Sequence, residues 1–252
     1  MNRPRMLMRQ VRMHQRSFWR NPESAFFNFA MPLAVLVAYG ATVTNTVVPG
    51  HDGARVLTLF VPGIVAFAVV VVAYGNLAAT IATQRADGVL KRLRSTPLDP
   101  LLYMGGQLLS VVTITVLISA ATIGVGAAAF GAVPRAAAIP QLLVLLVVGI
   151  ACFAALGVAI SIAIPTADAA NPITNGTYLP LAMVSGMFSA TLHMPRSVNT
   201  VVSLFPLKAL TDGLRGAYDP SAHGVVLANL AVLGAWAVAG TTLAARFFKW
   251  EP

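Results

Sequence analysis

Six long apolar runs separated by short polar segments divide the chain, at about residues 24–44, 57–83, 101–130, 139–164, 173–190 and 224–247. Each approaches or exceeds the roughly 20 residues that a helix needs to cross a hydrocarbon core. Lipid offers backbone amides no partners, so each run is predicted to be helical. Pro32, Pro62 and Pro180 fall inside runs, where kinks rather than breaks are expected because neighbouring helices re-satisfy the freed carbonyls. The second and third runs are overlong, which predicts tilting or projection into water. The pattern therefore predicts an all-α polytopic membrane protein, with residues 1–252 forming one transmembrane domain of six helices.

Two segments do not fit the description of a span. In residues 1–22, Arg5, Arg9, Arg12, Arg16 and Arg20 recur at steps of four, three, four and four, which lines one face of a helix. Leu7, Met8, Val11, Phe18 and Trp19 gather towards the other side. This predicts a basic amphipathic helix lying on anionic membrane lipids, ended by Asn21-Pro22. The second such segment, 187–223, mixes apolar pairs with Pro195, Pro206 and Pro220 and with Arg196, Lys208, Asp212 and Arg215. Short outer-leaflet helices that re-enter without crossing are expected there.

Composition sharpens the class. With 57% hydrophobic and 10% charged residues and a mean hydropathy of +0.77, the chain lies far from soluble domains. The net charge of +9 does not indicate nucleic acid as a partner, because the basic residues flank apolar runs and have no aromatic platform among them. They report orientation instead. With the N-terminus inside, cytoplasmic segments carry twelve Lys and Arg against five outside, which predicts both termini in the cytoplasm. The N-terminal stretch lacks the apolar centre of a cleavable signal. Cys152, alone in its run, excludes an intramolecular disulfide, and the four histidines are scattered over different segments.

Chemistry is sparse. The chain contains no G-x-x-x-x-G-K-[ST] phosphate loop, no H-E-x-x-H and no G-x-S-x-G. No metal ligand set or catalytic cluster is predicted, and no cofactor is expected on this chain. The spans also lack the buried charges of ion-driven carriers. Energy for transport would have to come from another polypeptide.

One polar island remains, QRADGVLKRLRSTPLDP at 84–100. Placing its four basic residues at mid-membrane would cost roughly 10–14 kcal/mol, so it is predicted to be a cytoplasmic loop. Its Asp87, Gly88, Leu90, Lys91, Arg92, Leu93, Thr96, Pro97 and Leu98 resemble the cytoplasmic segment of ABC-2 exporter membrane subunits. SGMFSATLHMPRSVNTVVSLFPLKALTDGLRG, from Ser185, is similar to that family's stretch before its last span. Asp87 stands where the family more often has Glu.

The resemblance implies pairing with a second membrane subunit, a copy or a homologue, and with ABC ATPase subunits that carry the ATP and Mg. It makes 84–100 a coupling helix. Arg85, Asp87, Lys91, Arg92 and Arg94 would then be rim charges and Leu90 and Leu93 the apolar centre of the ATPase contact, with Gly88 permitting close approach and Pro97 stopping the helix. A translocation path lined by Asn28, Tyr39, Thr42, Tyr74, Asn76, Thr80, Tyr178 and Ser185 suits a lipophilic drug, a lipid or a lipid-linked glycan. Fourteen Arg to three Lys suggests a GC-rich bacterium, and hence the inner membrane and an efflux system of the antibiotic-resistance type, resembling daunorubicin and multidrug exporters. A glycan exporter of the same architecture, or a membrane enzyme or assembly factor that holds lipid head groups, stays open as an alternative.

Overall fold

The computed structural model describes residues 3–42, 55–95, 99–188, 196–219 and 226–247. Regular structure among them is helical: α1 (Arg3–Arg20), α2 (Pro22–Thr42), α3 (Val56–Val69), a π-helical segment (Val70–Asn76), α4 (Leu77–Ala86), α5 (Val89–Arg94), α6 (Pro100–Phe130), α7 (Ile139–Ser161), α8 (Ala170–Val184), α9 (Arg196–Val202), α10 (Pro206–Arg215) and α11 (Val226–Phe247). The chain is thus an all-α polytopic membrane protein with a basic amphipathic N-terminal helix.

Five helical stretches among the described residues are long and apolar enough to cross a membrane: Ala25–Thr42, Val56–Ala86, Leu101–Phe130, Ala136–Ser161 and Val226–Phe247. The segment expected at 173–190 is a helix of 15 residues, α8, about 22 Å long at 1.5 Å per residue. That is short of the ~30 Å hydrocarbon core. The two overlong runs become rods of 31 and 30 residues, about 45 Å each. Helix continues through Pro32, Pro62 and Pro180.

Burial ranks the helices. The Val56–Ala86 rod has 83% of its most apolar window buried, against 17% for α2 and for α11, so it is the axis around which the others pack. Val, Leu, Ala, Phe and Ile occupy eleven of the fourteen positions of α3, and a helix apolar all round belongs inside. Leu36, Phe60, Ile64, Phe67, Ile118, Leu145, Ile150 and Leu210 are buried in one continuous core that joins α2, α3, α6, α7 and α10.

The rod is not uniform. Seven residues, VVVAYGN, adopt π-helical winding, which inserts an extra residue and leaves backbone carbonyls off the regular ladder. Gly157 of α7 lies against this segment, and a Cβ there would come within 2.8 Å of the Ala73 carbonyl oxygen and 2.9 Å of that of Tyr74. Glycine is thus what lets α7 close on the bulge.

The described residues of the segment 187–223 form two short helices, α9 and α10, with Pro206 opening α10. Of these, α10 is the better anchored, burying Leu207, Ala209, Leu210, Thr211 and Leu214 while the partly buried Lys208 and Asp212 pair at 2.8 Å along its other side. This i,i+4 pair neutralises both charges within one helix.

Candidate functional site

At one end of the bundle, α4 hands the chain to α5 through a two-residue turn. Asp87 ends α4, and Gly88 takes φ 66°, a left-handed conformation that a side chain would strain. Arg92 reaches back over the turn, donating from Nη2 to the Asp87 carbonyl at 2.8 Å. Arg85 donates to the carbonyl of Ile164, tying the end of α4 to the loop after α7. Asp99 then caps α6, its Oδ1 accepting from the Leu101 amide at 2.9 Å, with Pro100 at the first turn where its missing N–H costs nothing.

Leu90 and Leu93 point inward. They are buried against Tyr103 of α6, so the apolar face of α5 fixes it to its own chain, and the expectation that these leucines present a free apolar centre is corrected. A six-residue helix cannot hold itself together by propensity alone, which is the physical reason its two leucines are turned to the bundle. Exposed on α5 and its approach are Asp87, Lys91, Arg92 and Ser95. Arg94 lies in the last turn of α5, and Pro97 falls outside the described residues.

Tyr103 also meets α1. Its ring stands edge-on to His14 with centroids 4.9 Å apart. Burial pushes the His14 imidazole below its ordinary value of 6.5, opposed by a backbone hydrogen bond at Tyr103. Gln15 donates to the Ser110 carbonyl at 3.1 Å, and Gly106 gives Gln10 room to approach α6. The apolar side of α1, with Leu7, Val11 and Phe18 partly covered, therefore lies on the protein, while Met8 and Trp19 stay exposed beside the arginine stripe. Arg9, Arg12, Arg16 and Arg20 border an open groove of about 710 Å³.

Halfway along the rod lies the second constellation. The Tyr74 hydroxyl, inside the π segment, shares a 2.6 Å hydrogen bond with Thr177 Oγ1 of α8. Tyr178 stands edge-on to Tyr74 at 6.3 Å and tilted to Phe67 at 6.5 Å. An apolar cleft of about 300 Å³ adjoins them, lined also by Phe153, Leu181, Phe205 and Trp236. The Trp236 indole donates to the Leu204 carbonyl at 2.8 Å, fixing that wall.

The residues expected along a path do not gather in one place. Tyr74 and Tyr178 do meet. Tyr39 stacks on Phe60 with centroids 3.6 Å apart, and Asn28 is buried in α2. Thr42 returns its hydroxyl to the Ala38 carbonyl, and Ser185 to that of Ala182, both satisfied within their own helices. Asn76 and Thr80 face a separate polar space beside α1. Sequence reasoning passed over Tyr103, Thr177 and Trp236. Only Thr177 carried a signal, as a hydroxyl adjacent to Tyr178, in a stretch that also holds Asn171, Thr174 and Asn175.

Near the opposite end of the rod, Arg215 turns into the bundle and donates to the carbonyls of Leu59 at 3.1 Å and Gly186 at 2.6 Å. Gly186, with φ 71°, follows the end of α8, so Arg215 caps that helix and latches α10 to α3. The profile of the ABC-2 type transporter family matches residues 6–218, from α1 to the end of α10. No curated protein matches the chain.

Proposed function

Because the chain belongs to the ABC-2 type transporter family, and so is a membrane subunit of an ABC transporter, we propose that it exports a lipophilic drug or lipid-type substrate from a bacterial cell. ATP hydrolysis takes place on a separate ATPase subunit that carries the nucleotide and Mg, and a second membrane subunit, a copy or a homologue, completes the path. The aromatic cleft beside the π segment carries this reading. Its wall is mainly apolar, with the Tyr74–Thr177 hydroxyl pair, Tyr178 and the Trp236 indole as its polar groups, so it suits a molecule that is mostly hydrocarbon with one or two polar atoms.

In this reading α5 is the coupling helix and α1 lies at the cytoplasmic surface. The ATPase would meet the outward side of α5, Asp87, Lys91 and Arg92, together with Arg85, Arg94, Gly88 and Pro97 along the same segment. Leu90 and Leu93 transmit force by holding α5 to Tyr103. A short helix fixed to two long rods moves them as a lever when its partner rotates. The outer surface bears α9 and α10, and both termini lie in the cytoplasm, following the twelve-to-five distribution of Lys and Arg; α8 with the turn after it makes the fifth of six crossings, because it runs from Ala170 beside Ala78 and Ala82 to Met187 against Gly63 near the other end of the rod.

The test is reconstitution. The chain is co-expressed with a candidate ABC ATPase subunit, purified in mild detergent and placed in vesicles with a lipophilic fluorescent dye. ATP-dependent dye movement is expected, and the chain alone should show no hydrolysis above background. Failure of any ATPase subunit to co-purify, or turnover by the chain alone, would refute the assignment.

A further inference from the structure

The hydroxyl pair in the aromatic cleft has a fixed polarity. Thr177 Oγ1 lies 2.7 Å from the Thr174 carbonyl oxygen, one turn back along α8. Two oxygens approach that closely only with a proton between them, and a carbonyl has none to give. The Thr177 proton is therefore committed to its own helix. The 2.6 Å contact between Thr177 Oγ1 and the Tyr74 hydroxyl also needs a proton, and only Tyr74 is left to supply it. Donation runs from Tyr74 to Thr177 to Thr174, in one direction.

Both residues line the cleft, and Thr177 is exposed. With both protons committed, the pair offers an incoming molecule lone pairs alone. The N–H of the wall, on the Trp236 indole, is committed as well, to the Leu204 carbonyl at 2.8 Å. Tyr178 can donate or accept and so favours neither kind of ligand. What remains is a bias towards ligands that donate.

The arrangement is built in before any ligand arrives. Gly157 lets α7 close on the carbonyls of Ala73 and Tyr74, which holds the backbone that carries the phenol, and Tyr178 stands edge-on to its ring at 6.3 Å. An acceptor in an apolar wall loses its hydration when a ligand fills the cleft, and only a donor on the ligand replaces that bond. An ether or ester oxygen in the same place would set lone pair against lone pair. We propose that Tyr74 is the specificity-determining residue of this cleft and Thr177 its positioning residue, so that the pair selects lipophiles bearing a hydroxyl or an N–H over isosteres that only accept. The proposal rests on the reading that this cleft holds the transported molecule.

The test measures binding to the full chain in phosphatidylcholine nanodiscs, without ATPase and without transport. Trp19→Phe and Trp250→Phe leave Trp236, on the cleft wall, as the one indole. The probes are 6-bromo-2-naphthol, which donates, and its methyl ether, which cannot; bromine quenches an indole on contact. The saturable part of the quenching gives a half-point for each probe, and the ether's half-point divided by the naphthol's gives the preference. Partition into lipid enters that ratio equally in every variant. Thr177→Val, near in shape, frees the Tyr74 proton to donate, so the preference for the naphthol should fall by about two- to tenfold, the strength of one neutral hydrogen bond. Thr177→Ser keeps the relay and should keep the wild-type ratio. Thr177→Ala should lower the ratio as valine does and serves if the valine variant does not fold. Saturable quenching with an unchanged ratio in the valine and alanine variants would overturn the proposal and leave the cleft as the site of the lipophile. A serine variant that behaves like valine would overturn it too. Absence of saturable quenching by either probe would overturn both the proposal and the reading beneath it.

Discussion

Truncating Leu90 tests whether α5 is held by its own chain. The side chain is fully buried against Leu93 and Tyr103. Leu90→Ala removes three carbons from that contact, and buried Leu→Ala changes cost about 2–5 kcal/mol, the spread reflecting how far the site collapses. The loss falls on a local unit, because α5 has six residues and touches the bundle chiefly through this cluster. At about 1.4 kcal/mol per tenfold, the ratio of docked to undocked α5 should fall by roughly 30-fold to several thousand-fold. Hydrogen exchange of the full chain in nanodiscs reads this directly as lost protection over residues 88–95, bounded by the rate of an unstructured segment. Lys91→Ala, on the exposed side, should leave exchange unchanged. If Leu90→Ala exchanged like wild type over 88–95, the inward anchoring would be wrong and the leucines would again be candidates for an outward contact.

Gly157→Ala should destabilise the chain by about 1–3 kcal/mol, because its methyl group would press on the π-segment carbonyls, whereas Gly176→Ala, with open space around it, should gain up to ~1 kcal/mol of helix propensity; thermal unfolding in one detergent compares the two. Arg215→Leu removes charge-assisted hydrogen bonds to Leu59 and Gly186, worth about 1.5–3 kcal/mol each, and proteolysis should then open the α8–α10 region first. For His14, burial favours the neutral ring, so docking of α1 on α6 is fully supported above about pH 6.5 and weakens as pH falls through the lower value of the docked state. Spin labels on α1 and α6 should separate on acidification, and His14→Gln should remove the pH dependence.

Much of the architecture was legible because lipid permits few solutions. Long apolar runs without charges can only be helices, and the arginine stripe of α1 is a period-3.6 pattern that no other element produces. Which partner a face meets was less legible. Leu7, Val11 and Phe18 read equally well as a lipid-facing or a protein-facing stripe, and only the glycine pair Gly105-Gly106 hinted that α6 would be close enough to take them. Leu90 and Leu93 posed the same ambiguity on α5. The π segment left no mark, since VVVAYGN differs from its surroundings by two polar residues and winding is decided by what α7 and α8 press against it. Arg215 was expected within a segment of short outer-leaflet helices, but the sequence does not show which carbonyls a fold leaves free, and two of them hold this guanidinium inside the bundle.

The π segment also bears on how the chain tolerates changes in length. In a regular helix each residue advances the winding by about 100°, so deleting one residue from α3 would rotate Ala78 and Ala82 away from Ile164 and Ala170, against which they now pack. A π turn already stores one residue in excess of α-helical winding. Removing a residue there, such as the half-exposed Val71, lets the turn relax to α-helix while everything beyond it keeps its phase. Residues 70–76 are therefore the stretch of this rod where evolution or an engineer can shorten the chain by one without re-aiming α4 or the α5 turn that follows it.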